Sequence, residues 1–308
     1  MVHHGHRHLE SDEPVSEPTL HVHLIDGTYE LFRAYFAVPS RRSPNGQEVN
    51  AVSGLLQSLM ALLRRPEVTH VACAFDHVIE SFRNDLFAGY KTGEGVPADL
   101  MEQFELAERA VATLGVVVWP IVEFEADDAL ATGAARFSSD PSVARVLLCS
   151  PDKDLYQCVG ANVLVWDRQR DKLYDEAAVL EKFGVLPRQI PDFLALVGDS
   201  ADGIPGIPRW GKASAAKALQ QFGSLEQIPL DAKAFGSGLR GVASLLAELS
   251  AQREQASLYK TLATLRSDVP LTHTLSDLEY RGTDKRAFEA LCVELGLDSI
   301  SSRLPKEL

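Results

Sequence analysis

Short runs of apolar and β-branched residues recur along the first half of the chain, and longer segments with helical periodicity separate them. Five of these runs predict β-strands: LHVHLI (20–25), VTHVACAF (68–75), GVVVWPIVEF (115–124), ARVLLCS (144–150) and ANVLVW (161–166). Helix-length segments lie between the first four runs, at 52–65, 100–115 and 125–137. This alternation predicts an α/β fold with a mostly parallel central sheet and helices on both faces.

The strand pattern disappears after residue 175, where short helical segments such as PDFLALVG and KASAAKALQQFG take over. We therefore expect an α/β domain over residues 20–175 and a smaller helical region over residues 176–308. Residues 1–19 are polar, contain two prolines and lack periodicity. Such a composition cannot bury enough apolar surface to order itself and predicts a disordered tail.

The chain is acidic, with 30 Lys and Arg residues against 43 Asp and Glu residues and a formal net charge of −13. Taken alone, this balance argues against nucleic acid as a ligand, because neutralisation of phosphates supplies most non-specific affinity. The argument fails if many of the acids surround bound cations, since a metal ion inverts the local field. The position of the acids therefore matters more than their number.

The four cysteines show no CxxC or other metal-ligand spacing, which favours free thiols in a reducing compartment. The chain also lacks an apolar run long enough to span a bilayer and a segment that resembles a signal peptide. We therefore expect a cytoplasmic protein without a membrane partner.

Acidic residues stand just beyond the ends of four predicted strands: Asp26, then Asp76, then Glu125, Asp127 and Asp128, and finally Asp152 and Asp154. In a parallel sheet these carboxyl ends share one edge, where ligands bind. Each acid taken singly is explained as the cap of a following helix. So many carboxylates at one edge would repel one another strongly without cations, which favours a metal site.

Magnesium fits this set of residues, because it prefers oxygen ligands and is typically held by a few carboxylates together with substrate phosphates. The absence of cysteine ligands and of an HExxH pair argues against zinc. Two such ions would activate a water molecule and stabilise the leaving oxygen in phosphodiester hydrolysis. The residues themselves thus indicate a metal-dependent phosphoryl hydrolase.

The stretch GDSADGIPGIPRWGKASAAKAL (198–219) combines two kinds of chemistry. Asp199 and Asp202 lie in a glycine-rich turn and suit a cation. A Gly/Pro hairpin then opens a helix that carries Lys212 and Lys217, which suits an anion.

Five segments, in order and spacing, resemble the 5′ nuclease superfamily: HLIDGTYELFRAYFA, AFDHVIESFRNDLFAGYK, FEADDALAT, LLCSPDKDLYQ and LVGDSADGIPG. That superfamily includes bacterial flap endonucleases and the amino-terminal 5′→3′ exonuclease domain of bacterial DNA polymerase I. The resemblance extends from about residue 20 to about residue 270. It implies a PIN-like sheet, a helical arch near residues 79–105 and a helix-hairpin-helix in the C-terminal helical region. Because the sequence stops where a polymerase would begin, we expect a stand-alone nuclease.

The resemblance also assigns roles to individual residues. The family's metal-site acids are matched by Asp26, Asp76, Glu125, Asp127, Asp128, Asp152, Asp154, Asp199 and Asp202. In the family, the last four contribute to the second of two Mg²⁺ or Mn²⁺ ions, and the others hold the ion nearer the cleavage chemistry.

Basic and aromatic residues of the arch match family positions that contact the substrate. Arg83 and Lys91 correspond to residues that contact the scissile phosphate, where a fixed cation stabilises the charge of the transition state. Tyr90 could stack on a base of the threaded strand or pack on a neighbouring helix. Arg33 is a further candidate for a phosphate contact.

In the hairpin, Gly206 and Gly211 would let backbone N–H groups approach a DNA phosphate, and Lys212 and Lys217 would add positive charge. The resemblance also implies a potassium ion at this hairpin. Such a contact reads the backbone, so duplex binding independent of sequence is expected.

The sequence departs from the family at two places. Glu94 stands where the family usually has an arginine of the arch, which should weaken the grip on a single-stranded 5′ end. Arg209 and Trp210 replace a glycine and an aliphatic residue of the hairpin. Arg209 could contact phosphate through its side chain, or the hairpin could be distorted and bind DNA less well.

Together these observations predict a metal-dependent, structure-specific 5′→3′ exonuclease or flap endonuclease that acts in DNA repair or replication. Its expected partner is DNA with a 5′ flap, a nick or a 5′-ended duplex, and it is expected to be a monomer. Two alternatives are a PIN-like ribonuclease and a DNA-binding protein with weak catalytic activity. The helix-hairpin-helix discriminates against the first, and the complete set of acids against the second.

Overall fold

The computed structural model describes residues 19–236 and 239–305. Apart from Thr19, the tail predicted for residues 1–19 lies outside the described residues. The described part of the chain contains six strands: β1 (Leu20–Asp26), β2 (His70–Asp76), β3 (Val117–Ile121), β4 (Val143–Cys149), β5 (Val163–Asp167) and β6 (Lys172–Tyr174). All five predicted strands are confirmed, and β6 was not predicted because it has three residues and little apolar pattern.

The strands form one sheet in the order β3-β2-β1-β4-β5-β6. Strands β1 to β5 are parallel, and β6 pairs with β5 in the antiparallel direction. The chain moves outward from β1 through β2 to β3 and then crosses to β4 on the other side of β1. The carboxyl ends of β1 and β4 therefore border the crevice in which open α/β sheets bind their ligands.

Helices cover both faces of the sheet, as predicted. The helices before residue 138 are α1 (Gly27–Ala37), α2 (Asn50–Leu63), α3 (Phe82–Leu86), α4 (Ala98–Met101), α5 (Phe104–Thr113) and α6 (Ala126–Phe137). Those after residue 175 are α7 (Glu176–Phe183), α8 (Ile190–Val197), α9 (Lys212–Phe222), α10 (Val242–Ala251), α11 (Arg253–Ala263), α12 (Lys285–Leu295) and α13 (Asp298–Ser301). Short 3₁₀ helices occupy Asp154–Cys158, Pro187–Gln189, Leu225–Gln227, Ala232–Phe235 and Leu275–Leu278.

Alternate residues of the strands enter different apolar clusters, because successive side chains of a strand point to opposite faces. Leu24 of β1 packs in a cluster with α6 and with α8 to α11. Ile25 packs on the opposite face, with α2, α5 and α12. Helix α12 buries Phe288 and Leu291 in this second cluster, so the last helices pack with the α/β part of the chain. No helix within the described ranges is long and apolar enough to cross a membrane.

The segment predicted as an arch, residues 79–105, is helical mainly near its ends, where α3 and α4 lie. Residues 87–97 between these helices form turns and loop. Part of this loop contacts the acidic turn that follows α8, since the backbone N–H of Lys91 donates to the carbonyl oxygen of Asp202 at 3.0 Å. The arch segment therefore contacts the helical region directly.

Candidate active site

Strands β1 and β2 each end on an aspartate at the carboxyl edge of the sheet. Asp26 caps α1 by accepting from the Tyr29 backbone N–H at 2.8 Å, and it also accepts from Ser150 Oγ at the end of β4, at 2.8 Å. Asp76 accepts from the Ala126 N–H at the start of α6, at 2.8 Å. These hydrogen bonds fix both carboxylates at the carboxyl edge of the sheet. Asp26 thus caps α1 and also belongs to the site.

A cavity of about 360 Å³ opens at this edge. Four of the predicted metal-site acids line it, together with Lys91: Asp26, Asp76, Asp127 and Asp152. Tyr29 and Phe32 form part of the wall, and neither was predicted from the sequence. Their positions three and six residues after Asp26 place them one and two turns along α1, a spacing that could have indicated this wall.

A second group of acids lies next to the first. Oxygen atoms of Asp154, Asp199 and Asp202, all three buried, come within 4.8 Å of one another. The groups are joined where the Asp154 N–H donates to Asp152 Oδ1 at 3.0 Å. These three residues form the second cluster.

The donor atoms at this edge fit a hard divalent cation. They are carboxylate oxygens, the ligands that Mg²⁺ and Mn²⁺ take in proteins. Oδ1 of Asp127 and Oδ1 of Asp154 are buried without a hydrogen-bond partner among the described residues. A buried anionic oxygen without a donor is costly, so these two atoms favour a bound cation.

The electrostatics of the edge support this interpretation. Burial, helped by the nearby Asp76 and Asp152 charges, raises the pKa of Asp26 to about 7. Burial, followed by repulsion from Asp152, holds the pKa values of Asp127 and Asp154 well above the usual range. Without a metal ion, these carboxyl groups therefore bind protons more readily than ordinary aspartates do.

Lys91 lines the cavity and also contacts Asp202 of the second cluster. Its Nζ lies 2.6 Å from Glu125 Oε2 and 3.1 Å from Asp202 Oδ1. Burial alone would lower the pKa of Lys91, but attraction from Glu125 and Asp202 outweighs burial and raises the pKa well above its usual value. The side chain is thus a fixed cation beside the cavity.

The structure corrects the predictions for Arg83 and Asp128. Arg83 is 1% exposed and donates to both oxygens of Asp128, at 2.7 and 2.8 Å, and to Glu125 Oε1 at 3.0 Å. Asp128, which is 0% exposed, also accepts from the backbone N–H groups of Glu125 and Arg266. Arg83 therefore cannot reach a phosphate and Asp128 cannot reach a metal ion in this structure. Their ion pair instead supports Glu125.

Two further substrate contacts also differ from expectation. Tyr90 is 3% exposed and donates to Glu125 Oε2 at 3.3 Å, so its ring packs in the interior and is not free to stack on a base. Arg33 pairs with Glu30 at 2.6 Å and donates to Ser58 Oγ, which ties α1 to α2. These contacts correct the base-stacking role of Tyr90 and leave Arg33 engaged within the protein.

The hairpin between α8 and α9 is intact despite its unusual residues. Gly206 has φ +72°, and a Cβ there would lie 2.5 Å from the Gly198 nitrogen, so only glycine fits. Arg209 adopts the left-handed conformation at φ +69° with a largely exposed side chain. The buried Trp210 donates through Nε1 to the Leu245 carbonyl of α10 at 3.0 Å and anchors the turn.

The remaining residues predicted to contact DNA surround this turn. Gly211 is the N-cap of α9, and Lys212 is the first residue of that helix. Both are exposed, and so is Lys217 farther along α9. Glu94 is likewise exposed, in the arch loop, so its carboxylate adds negative charge there.

The chain matches two family descriptions in succession. Residues 21–184 match "5'-3' exonuclease, N-terminal resolvase-like domain", and residues 185–286 match "5'-3' exonuclease, C-terminal SAM fold". DNA polymerase I of Bacillus caldotenax is 35% identical over 286 residues, which cover 91% of this chain and 32% of the polymerase. The chain thus spans about a third of the length of the polymerases that it matches. A 5'-3' exonuclease of Aquifex aeolicus is 30% identical over 286 residues. The match covers 92% of this chain and 95% of that exonuclease.

Solved structures show the same fold at lower sequence identity. T5 5'-exonuclease with bound zinc ions has a TM-score of 0.64 and 18% identity, with 93% of this chain and 100% of that chain covered. The catalytic core of Rad2 in complex with DNA substrate has a TM-score of 0.58 and 14% identity, with 95% and 94% covered. At such identities the likeness concerns the arrangement of strands and helices.

Proposed function

Because this chain belongs to the 5′-3′ exonuclease family, we propose that it is a divalent-metal-dependent nuclease that hydrolyses phosphodiesters near the 5′ ends of DNA. The observation that carries the proposal is the pair of adjoining acid groups at the carboxyl edge of the sheet, with Lys91 in the lining of the cavity and in contact with Asp202 of the second cluster. In each group a buried aspartate oxygen lacks a donor among the described residues, and these atoms belong to Asp127 and Asp154.

The residues around the cavity and the second cluster would hold two metal ions, which we propose to be Mg²⁺ or Mn²⁺. Asp154, Asp199 and Asp202 would serve the second ion. Asp152, which the resemblance assigned to that ion, lines the cavity and would instead serve the first ion with Asp26, Asp76 and Asp127. Bound divalent ions supply an activated water molecule and charge stabilisation for the leaving oxygen. We also propose that a potassium ion binds at the hairpin, as the family resemblance implies.

The chain's own residues supply the remaining chemistry. Lys91 is held beside the cavity by its two carboxylate partners, where its charge can stabilise the phosphoryl oxygens as negative charge develops. The buried Arg83 and Asp128 pair fixes Glu125, one of those two partners, in place. The Tyr29 and Phe32 side chains give the cavity a partly apolar wall against which a nucleotide can be positioned.

We propose that the substrate is duplex DNA with a 5′ flap, a nick or a 5′ end, bound by a monomer. The exposed Arg209, Gly211 and Lys212 at the hairpin would contact the duplex backbone. T5 D15 flap endonuclease and Rad2 are described in complexes with DNA, which supports this substrate class. The intact hairpin favours it over the RNA expected of a PIN-like ribonuclease.

The test is cleavage of a 5′-labelled flap duplex with Mg²⁺, with and without EDTA. Short, metal-dependent 5′ products from DNA support the proposal. Binding of the duplex without cleavage would support the DNA-binding alternative, and preferential cleavage of single-stranded RNA would support the ribonuclease. Lys91→Ala should bind the same duplex in Ca²⁺ but cut it at least about 100-fold more slowly, because the fixed cation is lost.

A further inference from the structure

A lysine of this chain contacts the second cluster. Lys153 lies between Asp152 and Asp154 in the sequence, and its Nζ is 2.5 Å from Asp199 Oδ2. The Asp199 side chain is 2% exposed, whereas that of Lys153 is 43% exposed. The ammonium group therefore reaches inward from solvent to one of the three buried acids.

This ion pair occupies one of the two oxygens that Asp199 can offer to a metal ion in the second cluster. The other oxygen of Asp199 accepts from the Ala201 N–H at 3.0 Å. Asp154 Oδ1, in the same cluster, has no donor among the described residues. Lys153 thus neutralises one member of the cluster and leaves another without a partner.

We propose that Lys153 is a displaceable counter-ion that weakens cation binding at the second cluster. A divalent ion that binds Asp199 displaces the Lys153 ammonium group. That group then moves into solvent, which its exposure permits. Repulsion between Lys153 and the bound ion lowers the affinity further. The second ion therefore binds more weakly than the acids alone would allow. The inference rests on the proposed function, since it assumes that the cluster binds metal.

The experiment is a titration of the metal-free protein with Mn²⁺ and without DNA, in which electron paramagnetic resonance measures the free ion. Lys153→Gln should bind the weaker of the two Mn²⁺ ions about tenfold more tightly than wild type, because a unit charge within a few ångströms is removed. Asp199→Asn should weaken or abolish the same binding step and so identify it as the second cluster.

Two variants control for other effects of the substitution. Lys153→Arg keeps the charge and should retain the wild-type affinity. Lys233→Gln makes the same change of net charge in the 3₁₀ helix at residues 232–235 and should also leave the affinity unchanged. Melting curves of the metal-free variants establish that each is folded.

The outcomes separate this inference from the proposed function. Unchanged or weaker Mn²⁺ binding by Lys153→Gln would overturn the role of Lys153, even if the flap duplex is cut. Tighter binding by this variant in a protein that does not cut DNA would support the counter-ion and contradict the nuclease. A wild-type protein that binds no Mn²⁺ would overturn both.

Discussion

Asp127 and Asp128 are adjacent in the first turn of α6, yet their surroundings are opposite. Asp127 lines the cavity and has a buried oxygen without a donor among the described residues. Asp128 points into the protein, where Arg83 and two backbone N–H groups satisfy both of its oxygens. Successive helical residues differ by about 100° in direction, so one turn presents one acid to the site and the other to the core.

This contrast distinguishes two uses of a buried carboxylate. Where the counter-charge belongs to the protein, as at Asp128, the acid stabilises the fold. Where the described residues offer a buried oxygen no donor, as at Asp127, the proposed metal ion would supply the counter-charge. Substitution of Asp127 should therefore mainly change the rate of cleavage, and substitution of Asp128 mainly the stability of the fold.

The largest effect is expected from Asp127→Asn. Loss of this charge should reduce cleavage of a flap duplex by about 10³-fold, because a proposed ligand of the metal at the reacting phosphate is removed. The metal-free protein should be as stable as wild type or more stable, since repulsion with Asp152 and Asp26 is relieved. Single-turnover rates and thermal melts measure the two effects. A large loss of stability with normal cleavage by the folded fraction would reverse the assignment.

Asp128→Ala should instead destabilise the protein by about 3–5 kcal/mol, because it leaves Arg83 buried without its main partner. Urea denaturation of the metal-free protein measures this loss. The double variant Arg83→Met/Asp128→Leu removes both charges and should recover part of the stability. If Asp128→Ala unfolds at the wild-type urea concentration, the pair does not have the structural role assigned to it.

The raised pKa values of the cavity acids predict that the stability of the metal-free protein depends on pH. The pKa of Asp26 is about 7 in the folded protein against an ordinary value of 3.8, so the folded state binds this proton more tightly than the unfolded state. Its contribution is complete below about pH 4 and is lost as the pH rises through 7, with a total on the order of 4 kcal/mol.

Urea denaturation in EDTA between pH 4 and pH 8 measures this slope. Asp26→Asn should make the slope shallower, with the remainder due to the other acids of raised pKa, and Mg²⁺ should stabilise wild type most at the upper end of the range. A stability that rises with pH over this interval in EDTA, and equally in the Asn variant, would contradict the origin assigned to it.

The smallest effect is expected at the hairpin, where a charge is exposed rather than buried. Arg209→Gly should stabilise the protein by no more than about 1 kcal/mol, because a non-glycine residue no longer occupies the left-handed region. DNA binding should weaken, and the slope of log affinity against log salt should fall by about one if Arg209 contacts a phosphate. Arg209→Asn tolerates the same conformation without the charge, so it should lose affinity with little change in stability.

The sequence predicts much of this architecture because hydrophobic periodicity is a local property. The five parallel strands and the acids at their carboxyl ends follow from it. Strand β6 does not, since two exposed residues and one buried residue at a sheet edge carry no pattern that separates them from a turn. The packing of α12 against α5 is likewise hidden, because an amphipathic helix with apolar residues such as Phe288 and Leu291 does not specify its partner.

The sequence cannot separate residues that bind substrate from residues that support the site. Arg83 and Lys91 are both basic, and both lie in the arch segment, yet one is enclosed by α6 and α11 and the other borders the cavity. Tyr90 shows the same ambiguity, since an exposed ring and a packed ring have the same sequence signature. Side-chain burial depends on contacts between distant segments, which local sequence patterns do not contain.

The anchoring of the hairpin by Trp210 also gives the molecule an optical reporter. The chain contains three tryptophans, and the other two, Trp119 and Trp166, lie within the sheet. Phenylalanine at both sheet positions would leave one indole, next to Arg209 and bonded to α10. The fluorescence of Trp210 would then report the proposed binding of unlabelled duplexes at the hairpin in real time. This signal would be separate from metal binding or cleavage at the acids.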